Sequence, residues 1–239
     1  MNSLNLSDYF QSKCVCIFMK GINLILLCLL FVSCGAQSPA NFIILHNDGG
    51  QSTGSISTFK WANESLPLYV HVPQELQAQY ETSFELAANA WNDALGTTAI
   101  VIVFDKVGNT QYKSVDQALN DPDTSITLQE TWSVFPSFEE SNLAVTVTQF
   151  TNSGIIYNAD IFFNVEDFNF ATAGFTRVFQ HNIETVLIHE LGHLLGLKHS
   201  TKEEDSSSVM LPTIPFGATI LNLSDRDITN IKDLYSGDI

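Results

Sequence analysis

Residues 189–199 read His-Glu-Leu-Gly-His-Leu-Leu-Gly-Leu-Lys-His, and no other stretch of the chain restricts its fold so tightly. His189 and His193 are four residues apart, so on a helix both imidazoles project from one face, one turn above the other. Gly196 tolerates the positive φ that lets a chain leave a helix abruptly, and that turn swings His199 back toward the first two. Neutral imidazoles are good zinc ligands, and three of them leave the fourth tetrahedral position free for water. Glu190, next to the first ligand, is placed to accept a proton from that water. The chemistry implied is metal-assisted hydrolysis. Read as ordinary helix residues, imidazoles stacked along one face would each need another hydrogen-bond partner.

Length and composition set the frame for this site. The chain has 239 residues, 45% of them hydrophobic, enough for one sizeable domain with its own core. Its net charge of −16 excludes nucleic-acid binding, which needs a basic surface to displace counterions. The acidic residues are spread along the chain and read as a solvated surface.

All four cysteines, Cys14, Cys16, Cys28 and Cys34, fall within residues 1–34, so residues 35–239 hold neither disulfide nor thiolate metal site. Met19-Lys20-Gly21 precedes an apolar run over 22–32, the pattern of a signal peptide whose true start is Met19. At ~1.5 Å per residue that run falls short of a ~30 Å bilayer core. Phe31-Val32-Ser33-Cys34 resembles a bacterial lipobox, which would make Cys34 the lipidated first residue of a surface or outer-membrane lipoprotein. Cleavage after Ala36 is the alternative and would release a secreted protein. Contact with a membrane is expected only through a lipid on Cys34, and the domain is expected to be a monomer.

Residues 1–34 are thus assigned to export, 35–58 to a flexible tether around Gly49-Gly50-Gln51-Ser52-Thr53-Gly54-Ser55, and 59–239 to the folded domain. Within that domain 67–72 has strand composition. Tyr80, Phe84, Ala88, Trp91 and Leu95 mark the buried face of a helix over 74–95 that Gly96 closes. The run 98–104 suits an inner strand, and 143–149 alternates as a half-exposed strand does. Residues 105–141 are polar and carry no clear element. Asn182 is suited to cap the histidine-bearing helix, and Ser224 with Asp227 starts a last helix with a capping-box pattern. Strands and helices in this order make an α+β domain rather than a doubly wound sheet.

The extended histidine motif resembles that of the metzincin metalloproteases, and Ser208-Val209-Met210-Leu211-Pro212 is similar to their methionine turn. Ser200, directly after the third histidine, is similar to the matrixin branch, as are 158–164, 182–188 and the closing stretch from Leu223 to Tyr235. The resemblance covers about residues 58–236.

It implies a zincin fold: a twisted mixed sheet with two long helices above the zinc cleft, and a small C-terminal part with one helix below. It further implies one catalytic zinc on His189, His193 and His199, Glu190 as general base, Met210 as an apolar floor, and peptide-bond hydrolysis in extracellular or surface proteins. By the same resemblance, 143–149 is the sheet edge that pairs with an extended substrate. Glu166 and Asp167 stand where relatives bind calcium, so that ion is admitted on the strength of two carboxylates.

Leu211 stands where many matrixins carry Tyr, and the chain has no Pro-Arg-Cys-Gly-type segment, so latency through a cysteine thiolate is not encoded. His46, His71 and His181 have no second ligand at a metal spacing and are read as structural or solvent-facing. The rival reading is a binding module or adhesin that keeps the fold without turnover. An intact Glu190 weighs against it.

Overall fold

The computed structural model describes residues 41–46, 59–106, 111–151, 153–172 and 179–236. The expected export segment, Cys34 and the Gly/Ser-rich part of the expected tether lie outside them. Among the described residues nine strands and four α-helices follow one another: β1 (Asn41–His46), β2 (Lys60–Trp61), β3 (Leu68–Pro73), α1 (Gln77–Leu95), β4 (Ile100–Lys106), α2 (Val115–Leu119), β5 (Ser125–Gln129), β6 (Ala144–Phe150), β7 (Ile155–Asn164), β8 (Phe170–Ala171), β9 (His181–Asn182), α3 (Ile183–Leu194) and α4 (Asp225–Tyr235). The main sheet runs β1-β6-β7-β5-β3-β4, with β2 beside the start of β7. β3, β4, β5 and β7 are parallel, whereas β1 and β6 run antiparallel to their neighbours. This is the α+β, mixed-sheet architecture expected of the sequence.

α1 and α3 pack together over one face of this sheet, and α4 packs against α1. Phe84, Ala88 and Trp91 of α1 meet Ile183, Leu187, Ile188 and Leu191 of α3 in a single buried cluster, so the apolar stripe read from spacing is the helix–helix seam. Gly96 ends α1 in the left-handed conformation at φ 71°. On the opposite face Tyr112, Trp132, Phe135 and Phe138 close a second, smaller cluster over Val145, Val147 and Phe162.

Four expectations need correction. The run 98–104 forms β4, which is the outer strand of the sheet rather than an inner one, because α1 covers one of its faces and nothing pairs beyond it among the described residues. The stretch 105–141 holds β5, inserted between β3 and β7. β6 is buried on both faces rather than half-exposed: Val145 and Val147 meet the aromatic cluster, while Ala144 joins the α1–α3 core. It is also not the sheet edge, because residues 41–46 of the expected tether form β1 and pair along its outer side. His46 accordingly ends a strand rather than lying in a tether.

Candidate metal centre and active site

α3 begins where the sequence places it. Asn182 has extended backbone and its side-chain oxygen accepts from the Thr185 N–H at 2.9 Å, satisfying a donor that the helix start would leave unpaired. Every residue of α3 is buried. Three aromatic donors from elsewhere clamp it: the Trp91 indole donates to the Ile188 carbonyl at 2.9 Å, the Trp61 indole to Leu194 at 2.8 Å, and the Tyr235 hydroxyl to Leu195 at 3.0 Å. The last two satisfy carbonyls at the helix end, which otherwise lack partners.

Two glycines allow the approach of neighbouring segments. Gly196 has φ 100°, and a Cβ there would lie 2.2 Å from the Phe59 carbonyl oxygen, so both the turn and the passage of residue 59 require glycine. Gly192, inside the motif, had no assigned role in the sequence. A Cβ on it would lie 2.3 Å from the Met210 sulfur and 2.9 Å from the Trp91 ring. Met210 is therefore packed directly against the helix turn between the first two histidines.

His189, His193 and His199 are all buried and offer one nitrogen each within 4.8 Å of one another. Among the described residues they are the one such group of three or more potential metal ligands. Their outer nitrogens set the tautomers: His189 Nδ1 lies 2.8 Å from the Val209 carbonyl oxygen and His193 Nδ1 2.8 Å from that of Leu197. Each Nδ1 must carry the proton it donates, which leaves the Nε2 lone pairs of both rings facing one another at 3.0 Å. Two lone pairs at that distance repel unless a cation stands between them. Burial also pushes the His189 imidazole down to about 4, against the opposing pull of the Val209 carbonyl, so it is neutral as a ligand must be. The donor set, its burial and its anchoring fit a tetrahedral zinc ion with one position left over.

Glu190 is completely buried beside these ligands. One carboxyl oxygen accepts from the Thr146 hydroxyl of β6 at 2.6 Å, and the other has no hydrogen-bond partner among the described residues. Burial pushes this carboxyl up to about 8, with the Thr146 hydroxyl acting in the opposite sense. A polar group buried with a spare oxygen is costly unless something else comes to it. Thr146 was not singled out from the sequence, since its partner is 44 residues away.

The profile of peptidase family M10, matrixin, matches residues 72–236. The chain belongs to the matrixins. It is 46% identical over 54 residues to metalloendoproteinase 2-MMP of Arabidopsis thaliana, a stretch that is 23% of this chain and 14% of that protein. It is 44% identical over 54 residues to metalloendoproteinase 1 of Glycine max, covering 23% and 17% of the two chains. Over 78 residues it is 40% identical to matrix metalloproteinase-20 of Homo sapiens, covering 31% and 14%. These matches span less than a fifth of the length of those relatives. Catalytic zinc is a property of the matrixins, and the three-histidine cluster of this member fits it.

The methionine turn is held by the chain on both sides. Ser200 N–H donates to the Met210 carbonyl at 2.8 Å, which ties the third histidine's segment to the turn. The buried Asp227 carboxylate accepts from the Ser208 hydroxyl at 2.5 Å, from Val209 N–H at 2.9 Å and from Ser224 N–H at 3.0 Å. Asp227, which completes the capping box of α4, is thus also the anchor of the methionine turn. Leu211 is half-buried and brings no hydroxyl to the site.

The remaining candidates fall elsewhere. Glu166 accepts from Trp132 N–H, 34 residues away in the chain, whereas Asp167 accepts from the nearby Asn164 side chain at 3.0 Å. His71 pairs with Asp105 at 2.8 Å on β3. His181 is buried among Phe168, Phe170 and Phe216, at centroid distances of 5.7, 6.3 and 4.3 Å.

Proposed function

We propose that this matrixin is a zinc-dependent endopeptidase in which Glu190 is the general base. The observation that carries the reading is one fully buried carboxylate, with one oxygen lacking a partner among the described residues, next in sequence to the first of three buried imidazoles that offer nitrogens within 4.8 Å of one another. His189, His193 and His199 would hold the metal, with Val209 and Leu197 fixing two of the rings through their outer nitrogens. What zinc supplies when bound is Lewis acidity, which lowers the pKa of water and offsets negative charge developing on a scissile carbonyl.

The chain's own groups do the rest. Thr146 holds one Glu190 oxygen and leaves the other without a hydrogen bond among the described residues. That second oxygen takes a proton from the attacking water and returns it to the leaving amine. A non-catalytic zinc module would gain nothing from a buried, half-satisfied carboxylate at this position, which is why the binding-module alternative is the weaker reading.

We further place the protein outside the cytoplasm, on the basis of its signal-peptide pattern, with Cys34 as the anchor. Incorporation of a palmitate analogue that is lost in Cys34→Ala would support anchorage, and equal labelling of both would refute it. For the activity, a zinc chelator such as 1,10-phenanthroline should abolish hydrolysis of a denatured protein, and one equivalent of zinc per chain should restore it. Hydrolysis that persists after complete zinc removal would refute the reading.

A further inference from the structure

β4 closes one end of the main sheet, four steps from β6, so about 19 Å of sheet separates it from the strand that carries Thr146. An outer strand presents a row of unpaired amides, and proteins blunt such edges with proline, lysine, bulges or a covering segment. β4 has no proline, and its charged residues, Asp105 and Lys106, come only at its end.

Two devices bound the open part of this edge. At its start the Asn92 side chain of α1 accepts from Ile100 N–H at 2.9 Å and donates to the Ile100 carbonyl at 2.9 Å. At its end the register with β3 steps from Val72–Phe104 to Pro73–Lys106, which leaves Asp105 as the extra residue of a bulge. Between them the register is regular. Alternate residues of a strand turn their amides to opposite sides, so Ile102 and Phe104 repeat the outward orientation of Ile100. No described strand pairs with them there.

The two faces beside the edge differ in chemistry. On the α1 side, Ile102 and Phe104 pack against the main core. A groove of about 700 Å³ runs between α1 and the edge, lined by Glu85, Asn89 and Asp93 and by no cationic side chain. Both carboxylates are exposed, and neither is paired among the described residues. On the reverse face Val101 and Val103 belong to neither apolar cluster, and Tyr69, opposite Val101, is 58% exposed. That face is apolar and uncovered.

We propose that the Ile102–Phe104 edge of β4 docks an extended polypeptide segment in which basic and apolar side chains alternate. Such a guest strand takes its hold from the outward N–H and C=O groups of Ile102 and Phe104. Its side chains point alternately to the two faces. Those on the α1 side meet Glu85 and Asp93, and those on the other extend the Tyr69–Val101–Val103 surface. Charge argues against a second copy as the occupant. The 100–104 stretch of another β4 would bring only apolar side chains to these carboxylates, between chains that each carry a net charge of −16. Docking here leaves the β6 side of the sheet free.

The test uses the full chain carrying Glu190→Gln, so that the probe is not consumed, and two fluorescein-labelled peptides, Lys-Val-Lys-Val-Lys-Val-Lys and Glu-Val-Glu-Val-Glu-Val-Glu. Fluorescence anisotropy gives the affinity, and residue-resolved amide exchange locates the contact. The lysine peptide should bind about tenfold or more tighter than the glutamate peptide, and less tightly as salt is added. At saturation it should slow exchange of the Ile102 and Phe104 amides. Glu85→Lys/Asp93→Lys alters two exposed side chains and should weaken binding about tenfold or more. Ile102→Pro deletes an outward donor that β3 does not use, a place where an edge strand tolerates proline, and should also lose binding. Absence of binding, equal affinity for the two peptides, unchanged exchange at Ile102 and Phe104, or full binding by the charge-reversed variant would each overturn the proposal. Protection of those amides that grows with protein concentration, without peptide, would make a second copy the occupant and overturn it as well.

Discussion

Single residues carry the precision of this site. Gly192→Ala would push a methyl group into the Met210 sulfur and the Trp91 ring. The thioether can swing aside but the indole, fixed by its bond to Ile188, cannot, so a loss of about 1–3 kcal/mol in unfolding free energy is expected by denaturant titration. Thr146→Val keeps the shape of the side chain and removes the one donor to the Glu190 side-chain oxygens among the described residues. Loss of a hydrogen bond to a buried charged group is worth about 1–3 kcal/mol, so kcat/KM should fall on the order of tenfold to a hundredfold. Zinc content should be unchanged, as measured by elemental analysis. An unaltered rate would mean that Glu190 is positioned by something other than β6.

At the scale of elements, α4 and the methionine turn are joined through one side chain. Ser224→Ala removes a helix cap and a hydrogen bond to Asp205, and should cost about 1 kcal/mol with zinc affinity intact. Asp227→Ala leaves the Ser208 hydroxyl and the Val209 and Ser224 amides without their acceptor. It should cost about 3 kcal/mol or more, and it should also weaken zinc binding in a competition assay, because Val209 carries the carbonyl that orients His189.

β9 supplies a pH-dependent term. His181 has neither ring nitrogen hydrogen-bonded, and burial lowers its affinity for a proton below the ordinary 6.5. The unfolded chain then binds the proton more tightly than the folded one. Its stabilising contribution is full above pH 6.5 and is lost as the pH falls below that value. His181→Phe should flatten this acid limb, by up to about 1.4 kcal/mol per pH unit, in unfolding curves recorded across pH 4–8. Identical pH profiles would remove His181 as the source.

Across the whole molecule, what could be read from sequence was what short-range rules encode. The spacing of His189 and His193, the turn at Gly196, the cap at Asn182 and the seam of α1 each depend on residues within a few turns of one another, and the structure keeps them. β5 escaped notice because Ser125, Thr127 and Gln129 look polar. In the fold, Gln129 is satisfied by the Tyr112 backbone at 3.1 and 2.9 Å, and Ser125 by Asp160 at 2.8 Å. The link from Thr146 to Glu190, the anchoring by Asp227 and the addition of β1 to β6 join segments far apart in the chain, and no local pattern marks them.

The account as a whole depends on Glu190 acting as the base within a zinc site it does not help to build. The most direct measurement is kcat/KM on a denatured protein substrate for the parent chain and Glu190→Gln, with zinc per chain determined on the same samples. One zinc per chain in both, with kcat/KM about 10²–10⁴-fold lower in the variant, is the expected result. Equal rates at equal zinc occupancy would contradict it.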